Sequence, residues 1–260
     1  MLPKILRPVS CEDLLRVGAN HDGGYVLSKK IIDNTDTIVT FGLADEFSFE
    51  IDFSKLKKNI KIYAFDHTVD SLYWVNHFFK WSWWAIRYRK SFSRAFTFLK
   101  YKNFFNSKEA FHFVKKIVPK NEEGDGNISI TQILQKFQIN DKKTLLKVDI
   151  DMDEYKILDE ILNYDFTGLI IEFSYVDKML KNVIEFMEKN KKMSIVHIHG
   201  NNFDQPDKNG DPIHLEVTFL RNELLNENEK KKSFKEYPLK DLDYPNNTMK
   251  SDIPIKFLDN

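Results

Sequence analysis

Acidic and imidazole side chains in this sequence fall where apolar runs end. Asp149-Ile150-Asp151 follows Leu145-Leu146-Lys147-Val148, and Glu172 follows Leu169-Ile170-Ile171. A run beginning at Ser194 closes in His197-Ile198-His199-Gly200-Asn201-Asn202. Residues two apart in an extended chain face the same way, so Asp149 and Asp151 can enter one cavity, and His197 and His199 share a face. Close carboxylates repel unless one is protonated or a cation lies between them, a role that suits Mg²⁺ or Mn²⁺. Asp149, Glu172 and His199 form the candidate ligand set for such an ion. His199 can instead deprotonate a substrate hydroxyl, with Asp149 and Asp151 beside it as further catalytic candidates. Each has a plainer reading: Asp151 or Asp153 as a helix cap, and a strand histidine as a structural residue. No His-Glu-x-x-His or paired Cys-x-x-Cys spacing marks a zinc site.

Three further sites lie upstream. The run 37–41 stops at Gly42, followed by Leu43-Ala44, where a glycine lets a ligand approach the backbone closely. With one glycine only, this is not a Gly-x-Gly-x-x-Gly dinucleotide loop. The run 61–65 ends in Asp66, which lies about 20 residues on, where a carboxylate reads ribose hydroxyls in such folds. A helix cap is the other role open to Asp66. Near the amino end, Arg16-Val17-Gly18-Ala19-Asn20-His21-Asp22-Gly23-Gly24-Tyr25 contains a Gly-Gly pair. Its amides could hold a carboxylate or phosphate, or the segment is a simple hairpin turn.

The elements that must position these groups are legible as alternating runs. Strand-length apolar segments at 37–41, 61–65, 111–118, 145–148, 169–171, 194–198 and 214–220 alternate with helical patterns such as 153–162 and 177–189. Strands alternating with helices predict an α/β domain with a mostly parallel sheet, whose ligands sit at the carboxyl ends of the strands. The link 201–212 contains no helical pattern, so the last two strands are expected to pair antiparallel. Seven strands with that ending suit a Rossmann-like methyltransferase sheet.

Composition bounds the rest. In 260 residues, 42% hydrophobic and 30% charged side chains exclude wholesale disorder, and the length suits one large domain. Lys+Arg 39 balances Asp+Glu 39, so no global basic field favours nucleic acid or an anionic membrane. The single cysteine, Cys11, precludes an intrachain disulfide and suits a reducing, cytoplasmic compartment. No apolar run approaches the roughly 20 residues of a membrane span, and Met1-Leu2-Pro3-Lys4 does not open a secretory signal. Two stretches depart from the α/β pattern. Residues 72–105 interleave aromatic and basic side chains, expected as an amphipathic helical insertion that covers the sheet, with nucleic-acid stacking or a homodimer surface as alternatives. Residues 222–260 form a C-terminal extension with a charge run, expected to pack back at 253–258.

The motifs together resemble a known family. Arg16-Val17-Gly18, Asp22-Gly23-Gly24-Tyr25, Phe41-Gly42, Ser48-Phe49-Glu50, Tyr63-Ala64-Phe65-Asp66, Leu146-Lys147-Val148-Asp149-Ile150-Asp151 with Glu154, and His197-Ile198-His199-Gly200-Asn201-Asn202 resemble the FkbM-like methyltransferases. In particular the chain is similar to the O-methyltransferases of Campylobacter-type capsular polysaccharide clusters. Family members often read Asp-Ile-Glu-Gly where this chain has Asp149-Ile150-Asp151-Met152.

The resemblance implies a class I S-adenosylmethionine-dependent methyltransferase. It implies that Gly42, Leu43 and Ala44 hold the methionine part, Asp66 and His67 the ribose, and Asp125, Asn127 and Ile128 the adenine edge, with Asp149 alongside. Asp22, Tyr25, Asn201 and Asn202 are then the acceptor-side residues. The implied acceptor is a sugar hydroxyl, on a nucleotide-linked heptose. The alternatives are a phosphoramidate or other phosphorylated capsule precursor, a non-catalytic binding module, and an RNA methyltransferase.

Overall fold

The computed structural model describes residues 1–258. A hairpin of β1 (Leu14–Val17) and β2 (Tyr25–Ser28) leads into α1 (Lys29–Asn34), β3 (Thr37–Phe41), α2 (Ser48–Leu56) and β4 (Lys61–Phe65). A helical pair follows, α3 (Ser71–Tyr88) and α4 (Thr97–Phe105), then β5 (Ala110–Phe113) and the short strands β6 (Lys116–Ile117) and β7 (Asn127–Ile128). The chain continues through α5 (Ile130–Lys136), β8 (Thr144–Val148), α6 (Glu154–Ile161), β9 (Gly168–Phe173), α7 (Val176–Lys189), β10 (Met193–Asn201) and β11 (His214–Arg221).

Seven strands form the central sheet in the order β10-β11-β9-β8-β3-β4-β5. The pairs β3–β4, β3–β8, β4–β5 and β8–β9 are parallel, whereas β11 runs antiparallel to both β9 and β10. Counted along the chain within this sheet, the spatial order is 3-2-1-4-5-7-6. This is the Rossmann-like methyltransferase sheet that the strand runs and the helix-free 201–212 link predict. The run 111–118 departs from expectation: only its first part joins the main sheet, and Lys116–Ile117 instead pair with β7.

Alternation along each strand divides the core between the two faces. Val39, Phe41, Leu146, Val148, Leu169 and Ile171 pack with Ile133, Ile157, Val183 and Phe186 of α5–α7. Ile38, Leu145 and Ile170 face the other way, onto Leu27, Ile31, Phe49 and Phe53 of the hairpin, α1 and α2. Because both faces are covered, the strands read as nearly unbroken apolar runs. Each fully buried aliphatic or aromatic side chain stabilises the fold by about 1.5–3 kcal/mol.

Capping fixes where helices begin. Ser28 Oγ accepts from Lys30 N at 3.1 Å, Ser129 Oγ from Gln132 N at 3.1 Å, and Asp70 Oδ1 from Tyr73 N at 2.7 Å. The C-terminal extension bridges to itself at Tyr237–Ile255 and to the body at Leu2–Phe257, burying Ile253, Ile255 and Phe257. Among the described residues, no helix is long and apolar enough to cross a membrane.

Candidate active site

A cleft of about 370 Å³ opens at the carboxyl ends of β3, β4 and β8, where the strand order reverses. Gly42, Leu43, Ala44, Asp66, His67 and Thr68 form one wall; Asp149, Ile150, Asp151 and Asp153 form another. Asp22, Gly23 and Tyr25 enter from the hairpin, and Lys115, Lys116 and Ile117 from the β5–β6 strands and their link.

Gly42 is fixed by its own chain. Its amide donates to Phe65 O at 3.1 Å, and Asp149 N donates to Phe41 O at 3.0 Å, so the turn is drawn between two strand ends. With φ at +79°, a Cβ here would lie 1.7 Å from Asp149 O. No other residue type fits. The turn after it is held by Asp66, whose Oδ2 accepts from Leu43 N (2.9 Å) and Ala44 N (3.0 Å). Asp66 Oδ1 accepts from the Thr68 amide (2.8 Å) and hydroxyl (2.6 Å). Burial opposes the charged form of Asp66, but these four hydrogen bonds outweigh it and hold its pKa below the usual range. Asp66 therefore shapes the turn directly, and it caps no helix; Asp70 does that for α3.

The hairpin loop is stapled by Arg16. Its guanidinium donates to Ala19 O (2.7 Å), His21 O (2.7 Å) and Leu242 O (3.2 Å). The Gly-Gly segment is thus a hairpin turn, one that carries Asp22 to the cleft rim. Partial desolvation at the cleft rim, where Asp22 still meets solvent, then the charges of Glu216, Asp149 and Glu46, raise Asp22 to about 6, with Lys147 pulling the other way.

Lys147 answers the expectation of a metal. In a strand otherwise apolar, its buried ammonium lies 3.8 Å from Asp149 Oδ2 and 5.1 Å from the Tyr25 ring centroid. Burial works against this charge, but Glu50, Asp149, Glu172 and Asp22 together raise its pKa. Tyr25 Oη donates to Asp149 Oδ2 at 3.1 Å. Burial foremost raises Asp149, against the pull of Lys147 and Tyr25. The positive charge expected beside the paired carboxylates is therefore a lysine of the chain itself. The only His/Cys/Asp/Glu group whose ligand atoms converge among the described residues is Cys11, Asp13 and Glu229, away from the cleft, where Lys30 already pairs with Glu229. Asp149, Glu172 and His199 do not converge as a metal site.

Sheet register explains what Glu172 and His199 do instead. Glu216 sits opposite Glu172 on one side and opposite His199 on the other, so the three form a row across β9, β11 and β10. His199 Nδ1 lies 2.9 Å from Glu216 Oε2, and Nε2 lies 3.1 Å from Asp252 Oδ1. Burial disfavours the imidazolium, but hydrogen bonds to Asp252 and Glu216 override it and hold His199 up to about 10. With both ring nitrogens facing carboxylates and the ring outside the cleft lining, the geometry gives His199 a structural place in the sheet and offers no support for its role as a general base. Glu172, half-buried and desolvated beside Asp149 and Glu216, is pushed well above its usual pKa and accepts from Asn201 Nδ2 at 3.0 Å.

Asn201 and Asn202 are likewise occupied. Asn202 Nδ2 donates to Asn247 O (3.1 Å), Lys250 O (3.2 Å) and Ser251 O (3.2 Å), and its Oδ1 accepts from Asn247 N at 2.7 Å. It clamps the C-terminal segment and has no donor left for an acceptor sugar. Asn202→Ala is expected to lower unfolding stability by about 2–4 kcal/mol, read in urea, because the 247–251 backbone loses its partners. Asp125, Asn127 and Ile128 also stand apart from the cleft. They belong to β7 and its preceding turn, one strand behind β6, with Ile128 in the core. Lys116 and Ile117 of β6 occupy the wall expected of them.

The turn after Asp149 stores strain. Asp151 has φ +44° and Met152 φ +78°, and Asp153 pairs with Lys116 (3.0 Å) and Lys156 (2.6 Å) without capping α6. Met152 stands where the resembling family often carries glycine, and a left-handed non-glycine residue costs about 1–2 kcal/mol. Met152→Gly is expected to gain about 1 kcal/mol in urea unfolding at unchanged secondary structure.

The structure thus gathers Asp22, Tyr25, Gly42, Leu43, Ala44, Asp66, His67, Asp149 and Asp151 around one cleft. Lys147, which lies inside a quoted motif but carries no expected role there, joins them, as do Glu46 and Lys115–Ile117. A lysine inside an apolar parallel strand was the available signal, since burying its charge is costly without carboxylate partners.

No protein-family model matches the sequence, and no curated protein matches it. Among solved structures, the Geobacter metallireducens GS-15 precorrin-6y C5,15-methyltransferase aligns at 9% identity and TM-score 0.39, over 74% of this chain and 86% of that one. The Methanococcus jannaschii fibrillarin pre-rRNA processing protein aligns at 10% identity and TM-score 0.41, over 73% and 68%. M. jannaschii TYW2 in complex with AdoMet aligns at 10% and TM-score 0.36, over 74% of each chain. Likeness at this level assigns no residue, ligand or substrate; the strand order itself places the chain in the Rossmann-like methyltransferase fold.

Proposed function

We propose that this chain is an S-adenosylmethionine-dependent O-methyltransferase acting on a sugar hydroxyl. The observation that carries the reading is an acidic cleft at the point of strand reversal of a 3-2-1-4-5-7-6 sheet. S-adenosylmethionine carries a sulfonium and an α-ammonium against one carboxylate, and Asp22, Glu46 and Asp151, the cleft carboxylates not taken up by Lys147 or by the Leu43–Ala44 turn, complement its net positive charge. The donor set suits that ligand better than a divalent ion, because Lys147 already neutralises the carboxylates deepest in the cleft.

When bound, the cofactor supplies an activated methyl group with a neutral thioether as leaving group. The chain's own residues do the rest. The Gly42–Ala44 turn, shaped by Asp66 and flanked by His67, holds the cofactor. Tyr25 and Lys147 fix Asp149 in one orientation. Asp22, raised to about 6, removes the acceptor hydroxyl proton. Lys115 at the rim suits a phosphate, as a nucleotide-linked heptose or another phosphorylated capsule precursor would carry.

Incubation with methyl-labelled S-adenosylmethionine and a panel of nucleotide sugars tests this reading. Label transferred to a sugar oxygen supports it; label transferred only to RNA or to no acceptor, across the panel, rejects the sugar assignment.

A further inference from the structure

The balanced net charge conceals a segregated one. Residues 71–106 carry seven lysines and arginines and no acidic residue, in a chain whose total is zero, and they hold all four tryptophans. Among the described residues none of these seven cations pairs with a carboxylate; Arg94 and Lys80 lie over the Trp81 ring and Arg87 over that of Tyr88.

Helix α3 is apolar on two opposite sides. Trp74, His77 and Ala85 are buried on its inner side. On the outer side Leu72, Val75, Phe79, Trp83 and Ile86 recur at spacings of three and four, and each is 50–70% exposed. Among the described residues that stripe stays at least half exposed, with Val75 and Phe79 at the edge of the groove against 95–99, so the insertion does more than roof the sheet. A face this apolar on a soluble surface marks an interaction site.

We infer that the α3–α4 hairpin seats on an anionic phospholipid bilayer, the stripe entering the acyl boundary and the cations meeting the headgroups. Charge decides the occupant. In a twofold dimer the same patch meets itself, so unpaired cations would face cations. A nucleic acid would answer the charge and could stack on Phe79 and Trp83, but the aliphatic Leu72, Val75 and Ile86 that make up the rest of the stripe offer a base no ring. An apolar stripe bordered by Lys80 and Arg87, with exposed Trp and Phe, is the pattern of a helix lying in the interface plane. The apolar groove beneath, lined by Val69, Trp74, Phe78, Phe98 and Val114, begins one residue from Thr68 and Lys115 of the cleft rim. Seating the hairpin therefore brings the cleft mouth to the membrane surface. The inference stands independently of methyl transfer.

Flotation of the full chain with phosphatidylcholine vesicles, with and without phosphatidylglycerol, tests it. Binding is expected to be at least about tenfold stronger with phosphatidylglycerol and to weaken with salt. Phe79→Ser with Trp83→Ser is expected to reduce binding about tenfold at an unchanged melting temperature, both side chains being exposed. Arg87→Glu with Lys90→Glu should do the same. Equal or absent flotation on both vesicles, retention of binding by the paired variants, or binding of single-stranded RNA without vesicle binding would overturn the inference. So would a stable dimer in solution that the Phe79 and Trp83 substitutions convert to monomer.

Discussion

His199→Gln is expected to lose about 3–5 kcal/mol of unfolding stability near neutral pH, because it leaves the buried carboxylate of Glu216 and the half-buried one of Asp252 without their cation. The pH dependence gives this result its signature. The folded-state pKa of His199 is raised to about 10 from the 6.5 of a free imidazole, so the folded protein retains a proton that the unfolded chain releases. The stabilisation is complete below pH 6.5 and disappears as pH rises through about 10. Urea midpoints of the wild type should fall across that window, and His199→Gln should lack this part of the slope. A catalytic base would behave otherwise, with activity lost and stability little changed.

The second large effect is expected at Asp22. Asp22→Asn should lower the methyl-transfer rate by about 10²–10⁴ while leaving S-adenosylhomocysteine affinity within a few-fold. The base must be deprotonated to act. With Asp22 raised to about 6, the wild-type rate should climb as pH rises through that value and level off near neutrality. In Asp22→Asn that rise should vanish. Retention of the same profile would assign the proton to another group, Asp149 first among the cleft residues.

These two residues show which parts of the site were legible from the chain. Strand ends were readable because buried parallel strands leave unbroken apolar runs, and the polar residue terminating each run marks the ligand edge. Gly42, Asp66 and Asp149 are found that way. The antiparallel end of the sheet was legible too, from a link too short on helical pattern to make a crossover. Roles were harder. His199 and Asn202 share the same strand-end signal as Asp149, yet their partners Asp252, Asn247 and Lys250 come from a C-terminal segment some fifty residues away, and no spacing in the sequence reports that contact. The metal expectation failed for a related reason. Paired carboxylates announce a cation, but its identity depended on Lys147 reaching Asp149 from within the same strand. In α3 the two apolar faces were visible as an abundance of aromatics; only packing shows which of them the fold leaves uncovered.

The central claim is that the strand-end cleft holds S-adenosylmethionine. Calorimetric titration with S-adenosylhomocysteine tests it most directly, on the wild type and on Gly42→Ala, whose added Cβ would meet Asp149 O at 1.7 Å and displace the turn. Micromolar binding by the wild type, unchanged by Mg²⁺ or Mn²⁺ and weakened at least about tenfold in Gly42→Ala, is the expected result. Absence of binding by the folded wild type, with or without either ion, would contradict the account.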